Sequence, residues 1–113
     1  MLPAQNRLRS SKDFAKTTKV GHRASTESLV IYLHQDPTIQ SAPQVGFIIS
    51  KVVGGSVTRH RIARQLRHAA QENIGLIPNH SHLVIRVIKN GGDFATELHQ
   101  GFVKINQKLG ARQ

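Results

Sequence analysis

Residues 44–74 read QVGFIISKVVGGSVTRHRIARQLRHAAQENI, and this stretch decides the fold. Val45, Phe47 and Ile49 alternate with their neighbours, which is typical of a strand that turns one face toward a core. Two glycines then break the chain before apolar residues recur at helical spacing over residues 57–74. The stretch therefore predicts a strand, a tight connection and a long helix.

The same patterns assign the rest of the chain. Helices are predicted at residues 12–19, 57–74 and 93–109, and strands at residues 22–25, 29–34, 44–50 and 83–88. Gly21 is expected to end the first helix, and Gly75 with Pro78 the second. The order α-β-β-β-α-β-α predicts an α+β two-layer sandwich, with helices on one face of a small sheet. We expect one domain over residues 1–113, and a strand–helix–strand crossover is normally right-handed.

Composition excludes several classes of protein. The 113 residues contain no cysteine, which rules out disulfides and thiolate metal or redox sites. The longest apolar run, residues 29–33, is too short to span a bilayer, and no apolar stretch follows the N-terminal charges. We therefore expect no signal peptide, no membrane association and a cytoplasmic location.

Positive charge is concentrated in two segments. The formal net charge is +10, from 16 Lys and Arg against 6 Asp and Glu. Residues 7–23 hold six of these cations and one acid, and residues 51–67 hold five cations and no acid. Solubility alone does not require two clusters of positive charge. Such clusters without compensating acids are typical of proteins that bind a polyanion.

The long helix separates apolar from basic residues. One stripe consists of Ile62, Ala63, Leu66, Ala69 and Ala70, and the opposite side of His60, Arg61, Arg64, Arg67 and His68. Arg59 points nearer the apolar side and is expected to reach around the helix end. A solvated charged face is the ordinary explanation of such a pattern. However, no acid precedes Glu72 in the helix, so the arginines repel one another without compensation, which favours a binding role.

Three further features of the sequence each have two interpretations. Gly54 and Gly55 lead into the helix and either admit an anion or simply turn the chain. A basic amphipathic helix can also lie on a membrane, but an alanine-rich stripe suits packing on a sheet better. Phe14 and Tyr32 either stack on unpaired bases or belong to the core.

The seven histidines suggest two further chemistries. His80 and His82 could supply two ligands to a metal ion, but no third ligand is near them in sequence. A metal-free nuclease would need two placed histidines or a histidine with an acid. Spacing reveals no such pair, so we expect no metal site and no catalytic residue on this chain.

Residues 50–67, SKVVGGSVTRHRIARQLR, resemble the signature of the bacterial ribonuclease P protein subunit. The N-terminal residues 6–9, NRLR, followed by Asp13 and Phe14, are also similar to that family. The resemblance covers about residues 6–109. It implies the same element order in the fold of the second domain of ribosomal protein S5, with a left-handed β-α-β crossover instead of the usual right-handed one.

The resemblance also implies a function. Members of the family are the small subunit of a ribonucleoprotein that removes the 5′ leader from precursor tRNA. The ribonuclease P RNA performs the hydrolysis with bound Mg²⁺, and the protein assists it. The implied partners are this RNA and precursor tRNA, with the protein monomeric outside the complex. The leader is expected in a cleft between the sheet and the arginine helix's side of the fold.

Matching positions carry the family's roles onto this chain. RNA contacts are implied at Lys51, Arg59, His60, Arg61, Arg64 and Arg67, and leader contacts at Phe14, Lys16 and Tyr32. Three positions depart from the family pattern. His60 replaces the usual Asn, Ala63 replaces a Lys, and Thr18 replaces a second aromatic residue.

Two other hypotheses share the charge and the size of the chain. A structural RNA-binding protein of ribosomal type would bind RNA without stimulating leader removal. A protein-only histidine nuclease would cut RNA unaided and would depend on one or two histidines.

Overall fold

The computed structural model describes residues 3–40 and 42–111, with side chains through Leu109. The main elements are α1 (Ser11–Val20), β1 (His22–Ser25), β2 (Leu29–Gln35), β3 (Gln44–Ile49), α2 (Ser56–Glu72), β4 (Ser81–Val87) and α3 (Phe94–Ala111). Single 3-10 turns occupy Ala4–Asn6, Lys51–Val53 and Ile74–Leu76. The predicted order α-β-β-β-α-β-α is confirmed.

The four strands form one sheet in the order β1-β2-β4-β3. β1 pairs antiparallel with β2, and β2 with β4, whereas β3 runs parallel to β4. A parallel pair requires a crossover connection, and α2 provides it. Beyond β3, the backbone N–H of Leu8 donates to the carbonyl oxygen of Val45 at 3.0 Å, so the N-terminal segment covers part of this sheet edge.

One sheet face, the core face, holds the main hydrophobic core. Its strand residues include Leu29, Ile31, Leu33, Val45, Leu83, Ile85 and Val87, all buried. The helices add Ile62, Leu66, Ala69 and Ala70 from α2, and Phe94, Leu98, Phe102 and Ile105 from α3. The apolar stripes predicted for these two helices therefore pack on one face of the sheet.

The first helix lies on the other face, which we call the α1 face. α1 contacts β2 and β4. A Cβ atom built on Gly46 would lie 2.1 Å from Cζ of Phe14, so the ring occupies the space that a side chain of β3 would take. Val30 and Val84 are buried outside the main core, on the α1 face. α2 and α3 thus cover one face as expected, whereas α1 covers part of the opposite one.

Local hydrogen bonds determine where α1 begins and where α2 ends. The hydroxyl of Ser10 accepts from the backbone N–H of Asp13 at 3.3 Å and caps the start of α1. α2 ends at Glu72, earlier than the predicted residue 74, because Asn73 takes over its last carbonyls. The side-chain amide of Asn73 donates to the carbonyl oxygen of Ala69 at 2.8 Å. Gly75, predicted as the helix terminator, lies in the following 3-10 turn instead.

A buried acid ties α3 to the turn between β1 and β2. Oε1 of Glu97 accepts from the backbone N–H of Ser28 at 2.6 Å and from the hydroxyl of Thr26 at 2.7 Å. Buried donors that lose their acceptor cost about 1–3 kcal/mol each. One of the six acids of this basic chain therefore serves the fold.

Gly46→Ala tests how α1 is held. The new methyl group would overlap the Phe14 ring, so we expect a loss of about 1–3 kcal/mol in the free energy of unfolding, measured by urea denaturation. Gly75→Ala is the matched control, because nothing lies within 4 Å of its added Cβ. It should change stability by less than about 0.5 kcal/mol. Equal effects in both variants would show that Phe14 does not depend on Gly46.

Candidate nucleic-acid interface

The solvent side of α2 presents a basic surface, the arginine face, formed by His60, Arg61, Arg64, Arg67 and His68. All of these residues are exposed except Arg67, which is half-buried. His68 pairs with Glu72 at 3.0 Å, one turn further along the helix. Within residues 3–40 and 42–109, no carboxylate forms an ion pair with the three arginines. Their hydrogen-bonding groups are therefore available to an anionic partner.

Arg59 turns away from the arginine face, as expected. Its side chain is half-buried, and its Nε is shielded from solvent without a hydrogen-bond partner among the described atoms. It lines an open cavity of about 340 Å³ together with Phe47, Ile49, Ser56, His60, Ala63 and Arg67. Ala63, predicted for the buried stripe, is half-buried and forms part of this cavity wall. Ala63 therefore borders the open space between Arg59 and Arg67.

The glycine connection combines a structural and an open position. Gly54 has φ 159°, and a Cβ built there would lie 2.8 Å from Cγ2 of Thr58, so the turn itself requires glycine. Gly55 meets nothing within 4 Å and is the N-cap of α2 without a side-chain cap. Lys51 lies exposed in the preceding 3-10 turn. The geometry of the turn therefore explains Gly54 without an anion. Of the two glycines, only Gly55 borders space that an anion could occupy.

The predicted leader-binding residues lie on the α1 face. Phe14 covers Gly46, and Tyr32 stands opposite Val84 in the same row of the sheet. Both aromatic side chains are half-buried, which leaves part of each ring accessible. The hydroxyl of Thr18, where the resemblance implies an aromatic residue, donates to the carbonyl oxygen of Phe14 at 3.1 Å.

An open cavity of about 400 Å³ extends this surface past Lys16. Its polar lining includes Asp13, Lys16, His34, Asp36, Gln44 and His82, and together with Phe14 and Tyr32 we call this surface the α1 groove. Phe14, Lys16 and Tyr32, the predicted leader contacts, do not border the expected cleft between the sheet and the side of the arginine helix. The core packs between α2 and the opposite face of the sheet, so a groove at Phe14 and Tyr32 opens away from α2.

The pairing of two histidines at the end of the α1 groove was not found from the sequence, which had considered His82 together with His80. His34 and His82 stand directly opposite each other on β2 and β4. Burial is the main cause that lowers the pKa of His82, and His34 and Lys16 act in the same direction, whereas Asp13 opposes them. Hydrogen bonds from Thr38 lower the pKa of Asp36, whose Oδ2 lies 3.8 Å from Nε2 of His34. Only the strand pairing brings these groups together.

His80 and His82, the two histidines considered as metal ligands from the sequence, have different surroundings, since only His82 lines the α1 groove. His80 has φ 63°, and its Nδ1 bonds to the carbonyl oxygen of Ile39 at 2.7 Å. No group of three His, Asp or Glu residues in the described part of the chain is placed to hold a metal ion. In the same part, no helix is both long and apolar enough to cross a membrane.

Comparison with known proteins identifies the relatives of this chain. A family model described as Ribonuclease P matches residues 2–109. A ribonuclease P protein component of Mycolicibacterium vanbaalenii is 39% identical over 117 aligned positions, covering 98% of each chain. One from Mycobacterium avium is 43% identical over 91 positions, covering 78% of this chain and 76% of the relative. A mutant RNase P protein of Staphylococcus aureus has the same fold, with a TM-score of 0.75, 20% identity and coverage of 90% and 88%.

The lowered pKa of His82 predicts a pH-dependent stability. Below pH 6.5, the unfolded chain takes up the proton before the folded one, so the free energy of unfolding should fall as the pH drops from 6.5 through the folded pKa. His82→Gln should make this decline shallower, as measured by urea denaturation between pH 8 and pH 5. At pH 8 both His82 and the glutamine of the variant are neutral. The difference in free energy of unfolding between the two proteins at that pH therefore measures packing alone. Parallel curves for the two proteins would contradict the assignment.

Proposed function

The chain belongs to the ribonuclease P protein family and is a subunit of the tRNA-processing endoribonuclease, and we propose that its two opposite surfaces hold two different RNAs. The arginine face binds the ribonuclease P RNA, its partner in the ribonucleoprotein. The α1 groove binds the single-stranded 5′ leader of precursor tRNA. The observation that supports this division most is the separation of the two surfaces by the sheet and its core.

The side chains of the arginine face suit a structured RNA. Guanidinium groups make several hydrogen bonds to phosphate in a fixed geometry. Among the described residues, no carboxylate pairs with these arginines, so RNA binding does not have to break an ion pair first. Arg61, Arg64 and Arg67 follow one another along about two turns of a helix, so they present neighbouring cations to the phosphates of an RNA backbone. We also assign RNA contacts to His60 on the same face, to Lys51 in the turn before α2, and to Arg59 at the cavity that it lines with Arg67.

The α1 groove suits an unpaired strand. Phe14 and Tyr32 offer partly accessible rings to bases, and Lys16 provides a cation for the phosphates between them. Stacking and charge tolerate many sequences, so the groove should accept different leaders. Because residue 18 is a threonine, whose hydroxyl bonds to the helix backbone, the groove has one aromatic ring fewer than the resemblance implies.

The hydrolysis itself is assigned to the RNA partner with its Mg²⁺. The excess of cations over acids suits this chain to bind, to orient and to reduce the repulsion between two polyanions. We place the complex in the cytoplasm, where precursor tRNA is made and processed in bacteria, and we assign this chain a single ribonuclease P protein domain over residues 1–113.

Reconstitution tests the proposal. Cleavage of a precursor tRNA is measured at low Mg²⁺ with ribonuclease P RNA alone, with the protein alone and with both. We expect efficient 5′ cleavage only in the mixture. Tight binding to the RNA without stimulation would favour a structural RNA-binding protein. Cleavage by the protein alone would favour a histidine nuclease.

Arg64→Ala and Arg67→Ala should each weaken binding of ribonuclease P RNA by about tenfold. The slope of log affinity against log salt should fall by about 0.7–0.9 for each phosphate that the variant no longer neutralises. Filter binding over a salt series measures both quantities. Lys89→Ala is the control, since Lys89 already pairs with Glu27 at 3.2 Å. A salt slope that stays at the wild-type value in both arginine variants would exclude these phosphate contacts.

Tyr32→Ala should weaken binding of precursor tRNA by about tenfold, since stacking on one base contributes about 1–3 kcal/mol. Affinity for mature tRNA should not change, because it has no leader. Tyr32→Phe retains the ring and should bind both tRNAs as the wild type does. The measurement is a competition assay in the reconstituted complex. Equal losses for the two tRNAs in Tyr32→Ala would indicate damage to the fold or a different leader site.

A further inference from the structure

Two valines stand out among the exposed apolar side chains of the described residues. Val52 is 91% exposed and Val57 is 83% exposed, more than any other large apolar side chain there. They flank the Gly54–Gly55 connection between β3 and α2. A folded chain ordinarily gains free energy by burying such groups, so two of them exposed at one connection suggest a partner.

The connection holds both valines outward by its own structure. Its 3-10 turn is closed by the backbone N–H of Val53, which donates to the carbonyl oxygen of Ser50 at 3.1 Å, and the side chain of Val53 is buried in the core. Gly54 packs closely on Thr58, and the N–H of Arg59 donates to the carbonyl oxygen of Gly55 at 2.9 Å. The valines therefore occupy set positions at the surface.

The charges around the connection indicate the nature of the partner. Lys51 precedes Val52, Arg61 and Arg64 follow Val57 on the helix, and no acid occurs between Asp36 and Glu72. A second copy of this chain, with a net charge of +10, would be repelled. A polyanion with accessible apolar surfaces fits, and unstacked bases and sugars of a folded RNA offer such surfaces.

We propose that Val52 and Val57 form an apolar contact with the ribonuclease P RNA beside the arginine face. The contact rests on the proposed function, which places this RNA on α2. The cations supply attraction that depends on salt, whereas the valines pack against a base or a sugar and exclude water there. The apolar contact adds affinity without releasing counterions.

Val52→Thr, Val57→Thr and the double variant test the contact. Threonine keeps the shape and the branched Cβ, so the turn and the helix start are retained. We expect the double variant to bind ribonuclease P RNA about tenfold more weakly with an unchanged salt slope. Arg64→Ala, in contrast, should lower the slope. Val103→Thr, on α3 with 38% exposure, is the matched control and should bind as the wild type does.

The outcomes separate this inference from the proposed function. If the wild type binds the RNA and Arg64→Ala weakens it, wild-type affinity in the double valine variant overturns the apolar contact alone. A lowered melting temperature of that variant, or a change in its oligomeric state by sedimentation, also overturns it, because the valines would then serve the fold or self-association. If the wild type does not bind ribonuclease P RNA, the proposed function itself fails.

Discussion

The parallel pairing of β3 with β4 is the constraint on which the rest of the structure depends. Two parallel neighbours cannot be joined by a hairpin, so the chain between them must cross one face of the sheet, and α2 makes this crossing. Its apolar stripe becomes part of the core, which turns the arginines toward solvent. The same pairing leaves β3 at an edge of the sheet, where Gly46 receives Phe14 on the other face. One strand thus positions both candidate RNA surfaces.

Charged side chains are kept out of the core, with Glu97 as the buried exception in the described structure. The core is almost entirely aliphatic and aromatic, and Glu97, the one acid buried in the described structure, satisfies donors of the fold. Cations on α2 are left without acidic partners among the described residues, which costs the free protein some repulsion and favours association with RNA. The exposed valines at the start of α2 add a contact of a different physical kind, which salt does not screen.

Sequence reasoning succeeded where periodicity is strong and local. Ile62 and Leu66 are fully buried as predicted, and the stripe of α3 from Phe94 to Ile105 packs as its spacing indicates. It failed where the burial of a residue depends on an element distant in sequence or where a side chain ends a helix. Ala63 fits the apolar stripe by its angle, yet it borders an open cavity because the sheet ends at β3 beneath it. The end of α2 depends on Asn73, whose side chain competes for a helix carbonyl, and the nearby glycine had suggested a later end.

The sequence by itself determined the element order, the amphipathic division of α2 and the family to which the chain belongs, because these follow from residue spacing within single segments. Only the tertiary structure decided on which face each helix lies, and hence that Phe14, Lys16 and Tyr32 open away from α2. It also decided that His82 stands against His34, although the sequence had suggested His80 as its partner. Strand pairing joins residues far apart in the chain, and no spacing within one segment records which strands will meet.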